Sequence, residues 1–174
     1  MMKRLVIASV AMLSLAATLS AQSHDHSQHA QQYAGLESRE IKALSAEEIE
    51  QLRSGAGMGF AQAAELNHYP GPKHVLELAD ELGLTGEQRD AAKKEFDTMK
   101  AAAVGLGERI VSAEKHLDAA FARGTIDEAS LARMTGHIAQ IRGELRAVHL
   151  KAHLAMRGVL TEEQVATYDR LRGY

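Results

Sequence analysis

Apolar residues recur at alternating intervals of three and four along two long stretches of the chain. The first stretch contains Phe96, Met99, Ala103, Leu106, Ile110, Ala113, Leu117 and Ala120. The second contains Leu131, Met134, Ile138, Ile141, Leu145, Val148, Ala152, Ala155 and Val159. This spacing places one apolar stripe along a helix, as in a coiled coil. The pattern predicts an all-α protein built on a long antiparallel helical hairpin.

A short polar segment separates the two predicted helices. Gly124 suits the end of the first helix, and Thr125 with Glu128 is expected to cap the second. Gly105 and Gly107 lie inside the first helix, where each costs about 1 kcal/mol of helix propensity relative to Ala, so they suggest a bend. A hairpin buries only one stripe of each helix. We therefore expect a homodimer, or coverage of the hairpin by other helices.

Shorter helices are predicted before the hairpin. One starts after Ser45, where Glu48 completes a capping box. A second is expected over residues 60–66. Pro72 suits the first position of a third helix, which Gly83 ends. These elements make up a short-helix segment over residues 39–83.

The chain begins with the pattern of a secretory signal peptide. Lys3 and Arg4 precede an apolar run over residues 5–19, which small residues follow. About 15 apolar residues are fewer than the roughly 20 that span a bilayer. We interpret residues 1–21 as a signal peptide and predict a periplasmic location in a Gram-negative bacterium. Residues 22–38 are polar and without apolar periodicity, which predicts a disordered tail.

Composition excludes several classes of protein. The chain has 20 Lys and Arg against 23 Asp and Glu, and the predicted leader takes two of the basic residues. The mature chain is therefore mildly acidic, which argues against binding of nucleic acid. Cysteine is absent, so no disulfide, thiolate nucleophile or cysteine metal site is available. No Gly-x-Ser-x-Gly motif occurs either, and we predict that the protein is not an enzyme.

Histidines are the residues that suggest chemistry. His149 and His153 are four residues apart in the second long helix, and Met156 follows three residues later, so their side chains share one side of the helix. Imidazole and thioether ligands suit zinc, copper or nickel. The pair lacks the glutamate of a His-Glu-x-x-His protease site, because Leu150 occupies that position. The alternative is that both histidines are solvated or capping side chains on an exposed helix face.

The predicted tail carries a second group of histidines. His24, His26 and His29 are spaced for weak, adaptable binding of copper, nickel or zinc in a disordered segment. The alternative is a tail that is merely polar. No cofactor is required for the predicted fold.

Two copies of the motif LTxxQ begin the first long helix and a final short helix. They are formed by Leu84, Thr85 and Gln88 and by Leu160, Thr161 and Gln164. In each copy, Thr and Gln form a capping box. Their positions across a long hairpin, after a signal peptide, resemble the CpxP/Spy family of periplasmic chaperones and stress regulators. The resemblance covers residues 72–174.

The resemblance implies a dimeric, cradle-shaped helical domain over residues 84–174. Some relatives bind unfolded polypeptides on the concave face through apolar and basic contacts. Others, including the zinc-associated ZraP and the nickel and cobalt sensor CnrX, bind metal ions. We therefore expect an envelope-stress protein that binds unfolded or misfolded periplasmic proteins, with heavy-metal binding or sensing as the alternative. A membrane-bound signalling protein is a further expected partner.

Overall fold

Two long α-helices dominate residues 33–174, the part of the chain that the computed structural model describes. The helices are α1 (Ala46–Arg53), α2 (Gln62–Glu65), α3 (Pro72–Glu77), α4 (Gly86–Ala122), α5 (Glu128–Val159) and α6 (Glu162–Arg172). A single 3-10 turn, Leu36–Ser38, precedes them. No strand occurs in residues 33–174, which confirms the all-α prediction. The predicted signal peptide and the tail histidines His24, His26 and His29 lie outside the described residues.

Helices α4 and α5 pack against each other as the predicted antiparallel hairpin. The apolar stripes meet between the arms, where Ile110, Ile141 and Leu145 are almost fully buried. Gly124 ends the first arm in the left-handed conformation, with φ of 64°, which suits a residue without a Cβ. None of the helices in residues 33–174 combines the length and the apolar character that a membrane span requires.

The N-terminus of α5 differs from the prediction. Its cap is formed by Asp127 and Ser130 rather than by Thr125 and Glu128. The Asp127 carboxylate accepts a hydrogen bond from the Ser130 N–H at 2.7 Å, and Ser130 Oγ accepts one from the Asp127 N–H at 2.9 Å. The N–H of Thr125 instead donates to a carbonyl in the last turn of α4. Two capping patterns overlap here, and Asp is a stronger N-cap than Thr.

Two of the short helices are shorter than predicted. Helix α3 ends at Glu77, and turns lead from there to Gly83, which has φ of 60°. Helix α2 covers only Gln62–Glu65 of the predicted range. Helix α1 starts after Ser45 as predicted and has the predicted capping box between Ser45 and Glu48.

The short helices fold back onto the hairpin. Helices α1 and α3 pack on α4, and α2 packs on α5. Two apolar clusters result. The base cluster contains Val75, Ala79, Leu82, Leu84, Ala92, Met156, Leu160, Val165 and Tyr168. The middle cluster contains Ile41, Leu44, Leu52, Ala103, Ile110, Val111, Ile141 and Leu145. The segment before the hairpin therefore supplies part of its core.

Candidate functional site

Both LTxxQ motifs form capping boxes at the base of the hairpin. In the first, Gln88 N–H donates to Thr85 Oγ1 at 3.2 Å, and Thr85 N–H donates to Gln88 Oε1 at 3.1 Å. In the second, the corresponding distances between Gln164 and Thr161 are 3.2 and 2.9 Å. The leucine that opens each motif is buried in the base cluster. Each motif therefore starts a helix and anchors that start to the core.

The two glutamines also bind each other. Gln88 Nε2 donates to Gln164 Oε1 at 2.8 Å, and Gln164 Nε2 donates to Gln88 Oε1 at 3.0 Å. Each side-chain amide also donates its second hydrogen to a backbone carbonyl. Gln88 Nε2 donates to the Val159 carbonyl at 3.0 Å, and Gln164 Nε2 donates to the Leu82 carbonyl at 3.3 Å. This reciprocal amide pair joins the start of α4 to the start of α6.

The pair explains why the motif ends in glutamine. Glutamate closes a capping box equally well, as Glu48 does in α1. A carboxylate has no N–H, however, and it has no hydrogen to donate to the opposite side chain or to a carbonyl. The pair was not predicted, and its one signal in the sequence is that both motifs carry glutamine where glutamate would suffice for capping.

A comparison with family models agrees with this geometry. The model described as LTXXQ motif family protein matches residues 71–172. The chain belongs to the LTXXQ motif family. The matched region runs from the residue before α3 to the end of α6, so it includes both motifs and both arms of the hairpin. No curated protein and no solved structure matches the chain.

His149 and His153 of α5 are buried in this LTXXQ family hairpin. The exposed fraction is 3% for His149 and 8% for His153, so the alternative of solvated side chains on an exposed face is wrong. His149 stacks on Phe60, with ring centroids 5.9 Å apart. His153 Nδ1 lies 2.8 Å from the Tyr69 carbonyl oxygen. A carbonyl oxygen only accepts, so Nδ1 carries the hydrogen, and in the neutral ring Nε2 has the lone pair.

Glu65, at the end of α2, is the centre of a polar cluster beside these histidines. Its Oε1 accepts hydrogen bonds from the hydroxyls of Tyr168 at 2.5 Å and Tyr174 at 3.2 Å, and it lies 3.6 Å from Arg172 Nε. Burial raises the pKa of Tyr168 well above its usual value, and the hydrogen bond to Glu65 adds to this effect. Tyr168 therefore remains a donor and holds the Glu65 carboxylate in place.

Two histidines from different helices lie beside the Glu65 carboxylate. Glu65 Oε1 lies 3.4 Å from His74 Nδ1 in α3, and its Oε2 lies 3.5 Å from His153 Nδ1. Glu65 was not among the predicted site residues. It belongs to no motif, and only the docking of α2 onto α5 brings it here.

Two buried atoms in this region have no hydrogen-bond partner within residues 33–174. They are Glu65 Oε2 and His149 Nε2, and both residues line a groove of about 710 Å³ beside α5. Burial lowers the pKa of His149, and the nearby His153 lowers it further. His149 is therefore neutral at pH 7. An unpartnered polar atom at a groove wall marks a place where a ligand atom gains a bond.

The predicted metal ligands are only partly brought together. His149 and His153 line the same groove, whereas Met156 is fully buried in the base cluster. A side chain at Gly71 would begin 2.9 Å from His153 Nε2, so the glycine leaves space beside that nitrogen. Within residues 33–174, no three His, Asp or Glu side chains are placed to hold one metal ion. His149 and His153 thus line one groove, and metal binding by this pair stays a prediction.

A second groove, of about 670 Å³, lies between α2 and α5. Its lining residues are Met58, Gly59, Phe60, Gln62, Ala63, Leu66, Asn67, Arg142, Gly143 and Arg146. We call it the α2–α5 groove. Apolar and basic side chains share its wall, and no acid, histidine or hydroxyl group is among them. The wall of the groove is therefore made of apolar, amide and basic side chains.

Proposed function

We propose that this protein is a periplasmic stress protein of the CpxP/Spy type that binds unfolded polypeptides. Membership of the LTXXQ motif family is consistent with that class. The observation that carries the proposal is the mixed apolar and basic wall of the α2–α5 groove. The predicted homodimer stays a prediction, as does the membrane-bound signalling partner.

The apolar part of the groove is open to an incoming chain. Leu66 is 54% exposed, and Met58 and Phe60 beside it are half-buried. Unfolded segments expose the apolar side chains that a folded protein buries, and contact with this wall removes apolar area from water on both partners. The groove therefore favours unfolded segments over folded surfaces.

The basic side chains of the groove favour clients that carry negative charge. Arg142 pairs with Glu114 at 2.9 Å, whereas Arg146 forms no ion pair with any described residue. The Arg146 guanidinium is exposed at the groove wall and attracts carboxylates of a client. We infer that the preferred clients carry acidic residues next to apolar ones.

Protection of an aggregating client tests this proposal. In a light-scattering assay with reduced α-lactalbumin, we expect the full chain to suppress aggregation. The double variant Leu66→Ser/Arg146→Glu should need about tenfold more protein for the same protection, because it removes apolar contact and reverses the attractive charge.

The matched control is Arg133→Glu, which makes the same charge reversal on α5 outside the groove. It should protect as well as the unmodified chain. Equal protection by the double variant would show that the groove is not the binding surface. A full chain that gives no protection would remove polypeptide binding as the function.

Divalent metal binding is the second candidate function, and the unpartnered Nε2 of His149 favours it. Burial lowers the pKa of His149, so this ring has no proton to lose before it ligates, and the hydrogen bond from His153 Nδ1 to the Tyr69 carbonyl leaves Nε2 of His153 as the nitrogen for a ligand. Imidazole suits zinc, nickel and copper. The oxygen that Glu65 could offer as a further ligand is Oε2, which has no hydrogen-bond partner within residues 33–174, whereas Oε1 holds the hydrogen bond from Tyr168.

Calorimetric titration of the full chain with zinc and with nickel tests the second candidate. The variant His149→Gln/His153→Gln should bind at least about tenfold more weakly, because it removes both imidazoles. A comparison variant, His24→Gln/His26→Gln/His29→Gln, leaves the hairpin intact. Binding that is lost only in the comparison variant would assign the ions to the tail, and no binding by the full chain would exclude this function. Far-UV circular dichroism checks that both variants fold.

A further inference from the structure

A third cleft, of about 300 Å³, lies between the two arms towards the hairpin turn. His116 of α4 faces Met134 and His137 of α5 across it, and the remaining lining residues are Arg109, Ser112 and Ala113. Both histidines are exposed and Met134 is half-buried. The cleft shares no lining residue with the groove that contains His149 and His153.

The register of the hairpin places the two imidazoles opposite each other. Arg109 Nη1 lies 3.2 Å from Glu144 Oε2, which shows that these positions face each other across the arms. His116 follows Arg109 by seven residues, and His137 precedes Glu144 by seven. Seven residues are close to two helical turns, so each histidine lies on the same face as the charged residue of its own arm. His116 and His137 therefore face each other as Arg109 and Glu144 do, but two helical turns closer to the loop that joins the arms.

The third donor lies on the same face of α5. Met134 precedes His137 by three residues, which makes the two side chains neighbours on the helix surface. The cleft thus holds two imidazoles and one thioether, donated by two different helices. None of its lining residues is a carboxylate, and the charge of Arg109 is balanced by Glu144.

We propose that His116, Met134 and His137 form a binding site for a Cu(I) ion that bridges the two arms of the hairpin. A thioether beside imidazoles selects soft Cu(I), whereas calcium and magnesium require oxygen ligands and zinc sites are built from thiolate, imidazole or carboxylate. The three residues lie on α4 and α5, and both histidines are exposed to solvent. The site is independent of polypeptide binding in the α2–α5 groove.

Anaerobic titration with Cu(I) against a competing chelator tests the site. The background is the full chain with His24→Gln, His26→Gln and His29→Gln, which removes the tail histidines. In this background, His116→Gln/His137→Gln should bind about one equivalent less Cu(I). Because both histidines are exposed, the fold remains, and circular dichroism verifies it. An unchanged number of bound ions would overturn the proposal.

X-ray absorption at the copper edge tests the thioether. The background chain should show a sulfur neighbour of copper, which Met134→Leu should remove. The matched control is Met58→Leu, a half-buried methionine outside this cleft, and it should keep the sulfur signal. A sulfur signal that survives Met134→Leu, or one that is absent from the background chain, would overturn the assignment of Met134 as a ligand.

Discussion

Gly107→Ala is expected to lower the free energy of unfolding by about 2 kcal/mol, although alanine is the better helix former. A Cβ at this position would lie 1.9 Å from the carbonyl oxygen of Leu52 and 2.6 Å from its carbonyl carbon. Both atoms belong to the backbone of α1, so no side-chain rotation relieves the overlap. Helix α1 would have to move away from α4 and open the middle cluster. Thermal unfolding should show a melting temperature lower by roughly 8 °C.

Gly105→Ala is the matched control, because it lies in the same helix without a close neighbour among the described residues. No heavy atom of residues 33–174 lies within 4 Å of a Cβ built there. This substitution should raise the free energy of unfolding by up to about 1 kcal/mol through helix propensity alone. The two glycines should therefore respond with opposite signs. If both substitutions stabilise the protein, α1 does not pack closely on α4 in solution.

The second large effect is expected for Gln164→Glu, with a loss of about 2–4 kcal/mol in the free energy of unfolding. Glutamate keeps the capping box with Thr161, so the start of α6 is preserved. The new carboxylate has no hydrogen for Gln88 Oε1 or for the Leu82 carbonyl, which now lie 3.0 and 3.3 Å from the amide nitrogen. Oxygen would face oxygen at both contacts. Urea denaturation followed by circular dichroism measures the loss.

The control for an effect on helix capping alone is the opposite substitution, glutamate to glutamine, in the capping box of another helix. Glu48→Gln alters the capping box of α1, where the hydrogen bonds with Ser45 lower the pKa of the Glu48 carboxyl. Within residues 33–174, the Glu48 side chain makes no hydrogen bond beyond that box. Glu48→Gln should lower the free energy of unfolding by less than about 1 kcal/mol, because it removes only one charge near a helix N-terminus. An equally small effect of Gln164→Glu would mean that the amide pair contributes little and that the motif acts only as a cap.

Local patterns predicted the helices well, and they failed where two patterns competed. The caps at Ser45, Thr85 and Thr161 are formed as expected, because each involves residues within one helical turn. At the start of α5, two overlapping candidates were present, and Asp127 took the place predicted for Thr125. The spacing of apolar residues was sufficient for the hairpin, since it reports which face of each helix must be covered.

The sequence could not distinguish the two glycines of the first arm. Gly105 and Gly107 suggested a bend, which stays a prediction, and α4 runs as one continuous helix through both. Their helix propensities are identical, and only the position of α1 distinguishes them. Gly107 allows the backbone of Leu52 to approach, whereas Gly105 borders no neighbour.

The sequence by itself determined the two long helices, the caps at Ser45, Thr85 and Thr161, the hairpin and the likeness to the LTxxQ proteins, because these depend on residues close together in the chain. The tertiary structure alone decided that His149 and His153 are buried, that Glu65 lies beside them, and that the two motif glutamines bind each other. Gln88 and Gln164 are separated by the whole hairpin, and Glu65 reaches α5 only when α2 docks. Contacts between residues so far apart in sequence are set by packing, which no local pattern records.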